Sequence, residues 1–441
     1  MDKTLKGVLR PLKGTVKVPG DKSISHRSVM LGALSEGTTH VTGFLNGADC
    51  LSTISCFRKM GIDIELSEDE TEVTIHGKGI RGLQKPSEIL DCGNSGTTTR
   101  LLSGILSAQD FDSELTGDES IQKRPMKRIM KPLSEMGAEI SSIRGNDCAP
   151  LLIHGQKLHG IRYVSPVASA QVKSAILFAG LYAEGDTTVV EPALSRDHSE
   201  RMLKALGADI STRILPDGRA EITVSHCDKL SAPKETLEVP GDISSAAYFI
   251  SAALLVPGSD IVVQNVGINE TRAGILTAYR SMGADITLEN RRMSGSEDVA
   301  DIRVRFTEGL HGTEIGGALI PQLIDELPVI AAVAAGAEGD TVIKDAAELK
   351  VKESNRIAVM VDGLKTLGIE ALETEDGMVI KGQGRGLKVQ SGEIDTHKDH
   401  RIAMTFAVLA LAGSESTEVK LLDADCISIS YPGFYEDLAS L

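Results

Sequence analysis

Hydrophobic positions gather in six runs of similar make: HRSVMLGAL from residue 26, TTTRLLSGIL from 97, KSAILFAGLYA from 173, SSAAYFISAALL from 244, LPVIAAVAA from 327 and HRIAMTFAVLALA from 400. Each exceeds the roughly 4–8 residues of an ordinary strand and mixes small with large apolar residues, which predicts a buried helix with a small-residue face. Their starts are 71, 76, 71, 83 and 73 residues apart. Most runs end in a Gly or acidic turn, such as SEG at 35, VPGSD at 256 and AEGD at 183 and 337. β-branched stretches commonly follow, among them TTVV at 187, DIVV at 260 and TVI at 341, and these predict strands. A second, amphipathic helix then closes on a recurring signature, seen at Met60-Gly61, Met136-Gly137, Leu206-Gly207, Met282-Gly283 and Leu367-Gly368. Gly just beyond a helix is the expected residue there, because it enters the left-handed region without a Cβ penalty.

The pattern predicts six α/β units, each roughly strand–helix–strand–helix–strand–strand. A longer echo pairs VPGDKS at 18–23 with VPGDIS at 239–244 and puts three units in each half. The expected domains are residues 21–240 and residues 1–20 plus 241–441. Six units of this size are too few and too large for a common solenoid, so two three-unit globular domains fit better.

Composition narrows the function. Lys and Arg number 46 against 62 Asp and Glu, a net charge of −16, the reverse of a nucleic-acid-binding surface. Eight Phe, six Tyr and no Trp leave little for base stacking. The opening MDKTLKGVLRPLKG lacks the apolar stretch of a secretory signal, and no uncharged apolar run reaches the roughly 18 residues of a membrane span. The six cysteines form no CxxC and are too dispersed for a structural zinc site, so buried, reduced thiols and a cytoplasmic setting are expected.

GTVKVPGDKS at 14–23 departs from a phosphate loop by having five residues between its glycines and Asp before Lys. No metal or cofactor motif is present. Cations instead recur at helix starts. Lys22, Ser23 and Arg27 lead into the first apolar helix, and Asn94-Ser95-Gly96-Thr97 precedes the second, with Arg100 one turn in. Lys123, Arg124, Lys127 and Arg128 are expected to open an amphipathic helix at RPMKRIMKPL. Lys352 and Arg356 stand four apart with Glu353 between them, and His400 and Arg401 begin the last apolar helix. Helix N-termini already present unpaired amides and a positive dipole end, so repeated cations there point to bound anions despite the acidic whole. SAQVKS at 169–174, RDHSE at 196–200 and Asp325-Glu326 also stand at helix starts, where each taken alone reads as a cap.

With these residues together, the chain resembles the 5-enolpyruvylshikimate-3-phosphate synthase family. The resemblance rests on seven ordered motifs over nearly the whole chain: GDKSISHR at 20–27, GNSGT at 93–97, RP at 124–125, SAQ at 169–171, IDELP at 324–328, KESNR at 352–356 and DHR at 399–401. It implies two domains of three βαβαββ units with the substrate cleft between them, closing on shikimate 3-phosphate. It also implies a monomer without metal or cofactor, and transfer of the enolpyruvyl group of phosphoenolpyruvate to shikimate 3-phosphate. Lys22, Gly96, Arg124, Gln171, Arg356 and Arg401 would hold phosphoenolpyruvate. Lys22, Ser23, Arg27, Ser169, Ala170, Gln171, Arg196, Asp325 and Lys352 would hold shikimate 3-phosphate. Asp325 would act as base on the 5-hydroxyl, and Glu353 with Lys22 would move the proton at the methylene carbon.

SAQVK, RDHSE and NETR at 269–272 are similar to the family's class II branch, known for glyphosate-tolerant members. Gly96 departs from the Ala that tolerant members often carry, and ISIS at 427–430 lacks the Lys that class I places before its aromatic-Pro pair, here Tyr431-Pro432. The rival reading is a UDP-N-acetylglucosamine enolpyruvyl transferase, which would carry a reactive Cys or Asp near Arg124; LTGDESIQKRP at 115–125 offers Asp118 alone. A non-catalytic anion-binding relative is the third reading, and the set Lys22, Asp325 and Glu353 weighs against it.

Overall fold

The computed structural model describes residues 1–8 and 10–441. All six apolar runs are helical: Lys22–Leu34, Gly96–Leu106, Ala170–Gly180, Ile243–Leu255, Leu327–Ala334 and His400–Leu411. Several hydroxyls inside them bond back along the helix, as Thr99 does to the Ser95 carbonyl at 2.9 Å and Ser103 to Thr99 at 2.8 Å, so these polar side chains are buried with partners. The small residues serve close packing. A Cβ on Gly104 would lie 2.1 Å from the Ala175 carbonyl oxygen, so Gly96–Leu106 and Ala170–Gly180 meet at a distance only glycine permits. The five signature glycines all take positive φ, from 79° at Gly368 to 97° at Gly207, directly after their helices.

Among the described residues the strands form six sheets, one per unit. In five of them the first strand is parallel to the second, the second is antiparallel to the fourth, and the third lies outside the fourth. Two first strands come from distant sequence: Leu230–Ser231 and Leu237–Glu238 pair with Ser35–Thr42, and Lys13–Lys17 pairs with Asp260–Gly267. The sixth sheet departs from the expected unit. It has three strands, and Lys3–Lys6 from the chain's start lies antiparallel to Glu418–Leu422, where a fourth strand would be. Some turns also become regular structure. Ser35 and Gly37 belong to the strand Ser35–Thr42, which leaves Lys22–Leu34 without a loop, and Glu338–Asp340 lie inside Glu338–Ile343.

The chain divides into two compact units: Gly20–Val239 with Ser294–Ser296, and Met1–Pro19 with Pro240–Met293 and Glu297–Leu441. Each has its own apolar core and no core residue is shared. In the second, Ile243–Leu255, Leu327–Ala334 and His400–Leu411 pack on one another at the centre. Five cysteines are buried and Cys426 is half-buried. No single helix among the described residues is long and apolar enough to cross a membrane.

Candidate active site

In the unit Gly20–Val239, Asp21 caps Lys22–Leu34 by accepting from the Ile24 amide at 2.9 Å, which puts Lys22 and Ser23 at the first two helical positions. The Lys22 ammonium pairs with the Asp49 carboxylate at the start of Ala48–Lys59. Arg27 is buried one turn on; its guanidinium donates to Ser199 at 2.7 Å, Ser174 at 2.8 Å and the Ser23 carbonyl at 3.0 Å. Beside it His26 starts a hydroxyl chain, 2.7 Å at each step, through Thr53 and Thr98 to Ser95. Burial, then the nearby Lys22 charge, push His26 well below the usual imidazole range. Ser95 is also the N-cap of Gly96–Leu106, so this chain fixes the Gly96 corner relative to the Lys22 helix.

Around that corner the structure gathers three of the residues expected to hold phosphoenolpyruvate, Gly96, Arg124 and Gln171. Arg124 donates to Asn94 at 3.1 Å and Ser120 at 2.9 Å. Gln171 accepts from Arg100 at 2.6 Å and donates to Thr97 at 3.0 Å, while Arg100 also reaches the Gly96 carbonyl at 3.4 Å. A Cβ on Gly96 would meet Arg100 at 2.6 Å and Arg124 at 3.5 Å. Arg100, read from the sequence as one of the helix-start cations, holds Gln171, a partner 71 residues away that no local signal marks.

Arg124 and Lys123 precede the helix that they were expected to open: it runs Lys127–Glu135, and Arg124 is extended at φ −83°, ψ 129°. Pro125 is the reason, since proline disfavours helical geometry in the residue before it. Lys123, Lys127 and Arg128 are exposed. Ser169 occupies the N-cap position of Ala170–Gly180, yet its hydroxyl makes no capping bond; its amide donates to Glu191 at 2.9 Å. Arg196 and Asp197 lead into His198–Ala205, where Asp197 binds Arg201 at 2.9 Å instead of capping. Asp118 accepts from the Ile121 amide at 3.0 Å and Asn94 at 2.7 Å, a turn-holding carboxylate.

The other unit carries a second set around Asp325. Its carboxylate lies 3.6 Å from Lys352, 3.4 Å from Arg356 and 3.9 Å from Arg401, and Arg401 donates to its carbonyl at 3.3 Å. Arg356 is 1% exposed and also binds Glu353 at 2.6 Å and Asp399 at 2.8 and 3.2 Å. Burial works against its charge, but Asp399 and Glu353 outweigh that and hold it above its ordinary value. Asp399 also caps His400–Leu411 through the Arg401 amide at 3.0 Å, so one buried carboxylate aligns two arginines. Lys352 precedes the helix Arg356–Thr366 and is not part of it.

Glu326 is not a cap either. It is buried and accepts twice from Arg272, at 2.9 Å each, and Arg272 also holds Asp242 at 3.2 Å. This anchors the backbone beside Asp325. Among the described residues one group has metal-ligand types close together, Asp63, Glu65 and His76 on the strands Asp63–Leu66 and Val73–Lys78, and it belongs to neither set.

Known proteins share both fold and sequence with the chain. The family model for EPSP synthase (3-phosphoshikimate 1-carboxyvinyltransferase) matches residues 8–438. A 3-phosphoshikimate 1-carboxyvinyltransferase of Alkaliphilus metalliredigens is 52% identical over 430 residues, 98% of this chain and 97% of that protein. One from Geobacillus kaustophilus is 53% identical, covering 98% of each. A solved EPSP synthase from Acinetobacter baumannii superposes with a TM-score of 0.87 at 47% identity, over 100% of this chain and 98% of the other. The Streptomyces tendae enolpyruvyl transferase NikO, at 18% identity and a TM-score of 0.80 over 99% and 96%, shares the fold. With capped cations and buried carboxylates set at the matching motifs, the chain belongs to the EPSP synthase family.

Proposed function

We propose that the chain transfers the enolpyruvyl group of phosphoenolpyruvate to the 5-hydroxyl of shikimate 3-phosphate and releases phosphate. The observation that carries the reading is that Asp325 and Glu353 both lie on the Arg356 guanidinium, at 3.4 and 2.6 Å. Two carboxylates on one cation suit a reaction that needs a base and an acid side by side, with further cations to receive an anion.

In the first step the 5-oxygen bonds to C2 of phosphoenolpyruvate while C3 gains a proton, giving a tetrahedral adduct. In the second, the bond from C2 to the phosphate oxygen breaks, phosphate leaves, and C3 loses a proton to restore the double bond. Asp325 takes the hydroxyl proton; Glu353, with Lys22, delivers and later recovers the proton at C3. Lys22, Arg124, Arg356, Arg401 and the Gly96 backbone hold phosphoenolpyruvate, with Gln171 touching both substrates. Ser23, Arg27, Ser169, Ala170, Arg196 and Lys352 hold shikimate 3-phosphate. Arginine forks suit carboxylate and phosphate oxygens in pairs.

Phosphate release from phosphoenolpyruvate tests the reading, with shikimate 3-phosphate and UDP-N-acetylglucosamine compared as acceptors. Release with shikimate 3-phosphate alone is expected. Release with the sugar nucleotide alone would overturn the acceptor, and none with either would leave an anion-binding protein.

A further inference from the structure

The motifs SAQVKS and RDHSE contain two residues that the reaction leaves unemployed, Lys173 and Glu200. Lys173 is fully buried near the start of Ala170–Gly180. Its ammonium lies 2.7 Å from Glu200 and 3.2 Å from Glu191, and it donates to the Ser195 carbonyl at 3.1 Å. Glu191, the last residue of the strand Thr187–Glu191, grips two segments at once. It accepts from the Ser169 amide at 2.9 Å, and from the amide and hydroxyl of Ser195 at 3.2 and 2.7 Å. The neighbouring Ser174 and Ser199, 2.7 Å apart, hold Arg27.

Taking three charges out of water costs much of what their attraction returns, and an apolar trio of similar volume would serve stability as well. The geometric consequence is more specific. Ser169 is fixed directly, Arg196 through its neighbour Ser195, and Arg27 through the serines beside Lys173 and Glu200. We propose that the buried Lys173–Glu191–Glu200 triad is a positioning device that spaces Ser169, Arg196 and Arg27, and so sets the affinity for the phosphorylated ring substrate. This rests on the proposed function, in which those three residues hold shikimate 3-phosphate.

The variants Glu191→Gln, Lys173→Met and Lys173→Arg test it by steady-state kinetics with each substrate varied in turn. An amide at 191 keeps the shape but replaces one acceptor oxygen with a donor that faces other donors. Glu191→Gln should raise KM for shikimate 3-phosphate about tenfold, the loss of one charge-assisted hydrogen bond, with kcat and KM for phosphoenolpyruvate within about twofold. Lys173→Met should do the same, and Lys173→Arg should restore most of the affinity. If Lys173→Met does not fold, Glu191→Gln decides alone. Wild-type turnover of shikimate 3-phosphate with an unmoved KM in Glu191→Gln, or with both KM values raised equally, overturns this inference alone. A wild-type chain that does not use shikimate 3-phosphate overturns the proposed function beneath it.

Discussion

Gly96 has less room than a helix start requires. The atom that a methyl would meet first is the Arg100 guanidinium, at 2.6 Å, and that is the flexible end of a side chain. Gly96→Ala should therefore fold normally, with a melting temperature within about 2 °C of wild type. Its cost falls on the bond from Arg100 to Gln171, and losing a charge-assisted hydrogen bond should raise KM for phosphoenolpyruvate about tenfold or more. An unchanged KM would show that Arg100 shifts without consequence. Asp325→Asn keeps the shape but removes the base, and kcat should fall about 100-fold or more, the usual scale for a positioned proton acceptor. A kcat within about threefold of wild type would end the assignment of Asp325 as base. At this scale the sequence names the cations but not their partners. Asp49, which holds Lys22, is 27 residues away and sits in NGADC, a stretch with nothing to mark it.

The proposed site residues stand at helix starts, but the caps there are not the ones the sequence suggested: Ser169, Asp197 and Glu326 make no side-chain capping bond. Asp21, Ser95 and Asp399 each accept from an amide two or three residues on. Other bonds claim the residues that do not cap: Glu326 is taken by Arg272, 54 residues away, and Asp197 by Arg201, one turn on. Asp399 does both jobs, and its titration tests them. Burial pushes its carboxyl up, but Arg356 outweighs burial and holds it below 3.8. A depressed carboxylate contributes stability fully above its unfolded value, and the contribution is lost as pH falls through the folded value. Chemical denaturation midpoints should thus fall as pH drops below 3.8. Asp399→Asn should lack that acid-dependent loss and be less stable near neutrality, by less than the roughly 3–5 kcal/mol of a fully stranded buried charge, because Glu353 and Asp325 still face Arg356. Equal acid dependence in both proteins would show that the Arg356 pair contributes nothing there.

At the scale of the molecule, Gly20–Val239 makes up one unit apart from the short segment Ser294–Ser296, and every strand of three sheets lies within that interval. The strands Leu230–Ser231 and Leu237–Glu238 return to complete the first of those sheets. A fragment of residues 20–239 should therefore fold alone, with one cooperative unfolding transition by circular dichroism. It should show no turnover, because Asp325, Lys352, Glu353, Arg356 and Arg401 stand on the other unit. A fragment that stays unfolded would mean that its core depends on the rest of the chain.

The sequence by itself determined what neighbours along the chain decide: the six apolar helices and the positive-φ glycines that end the amphipathic ones. These follow from spacings of two to four residues, where the backbone alone brings groups together. Tertiary structure decided what chain closure decides. It brought Lys3–Lys6 to the last sheet, set Arg100 on Gln171, gave Arg356 the distant carboxylates Asp325 and Asp399, and buried Lys173 between Glu191 and Glu200. No local rule selects those partners. A charge removed from water must find its opposite wherever packing has put one.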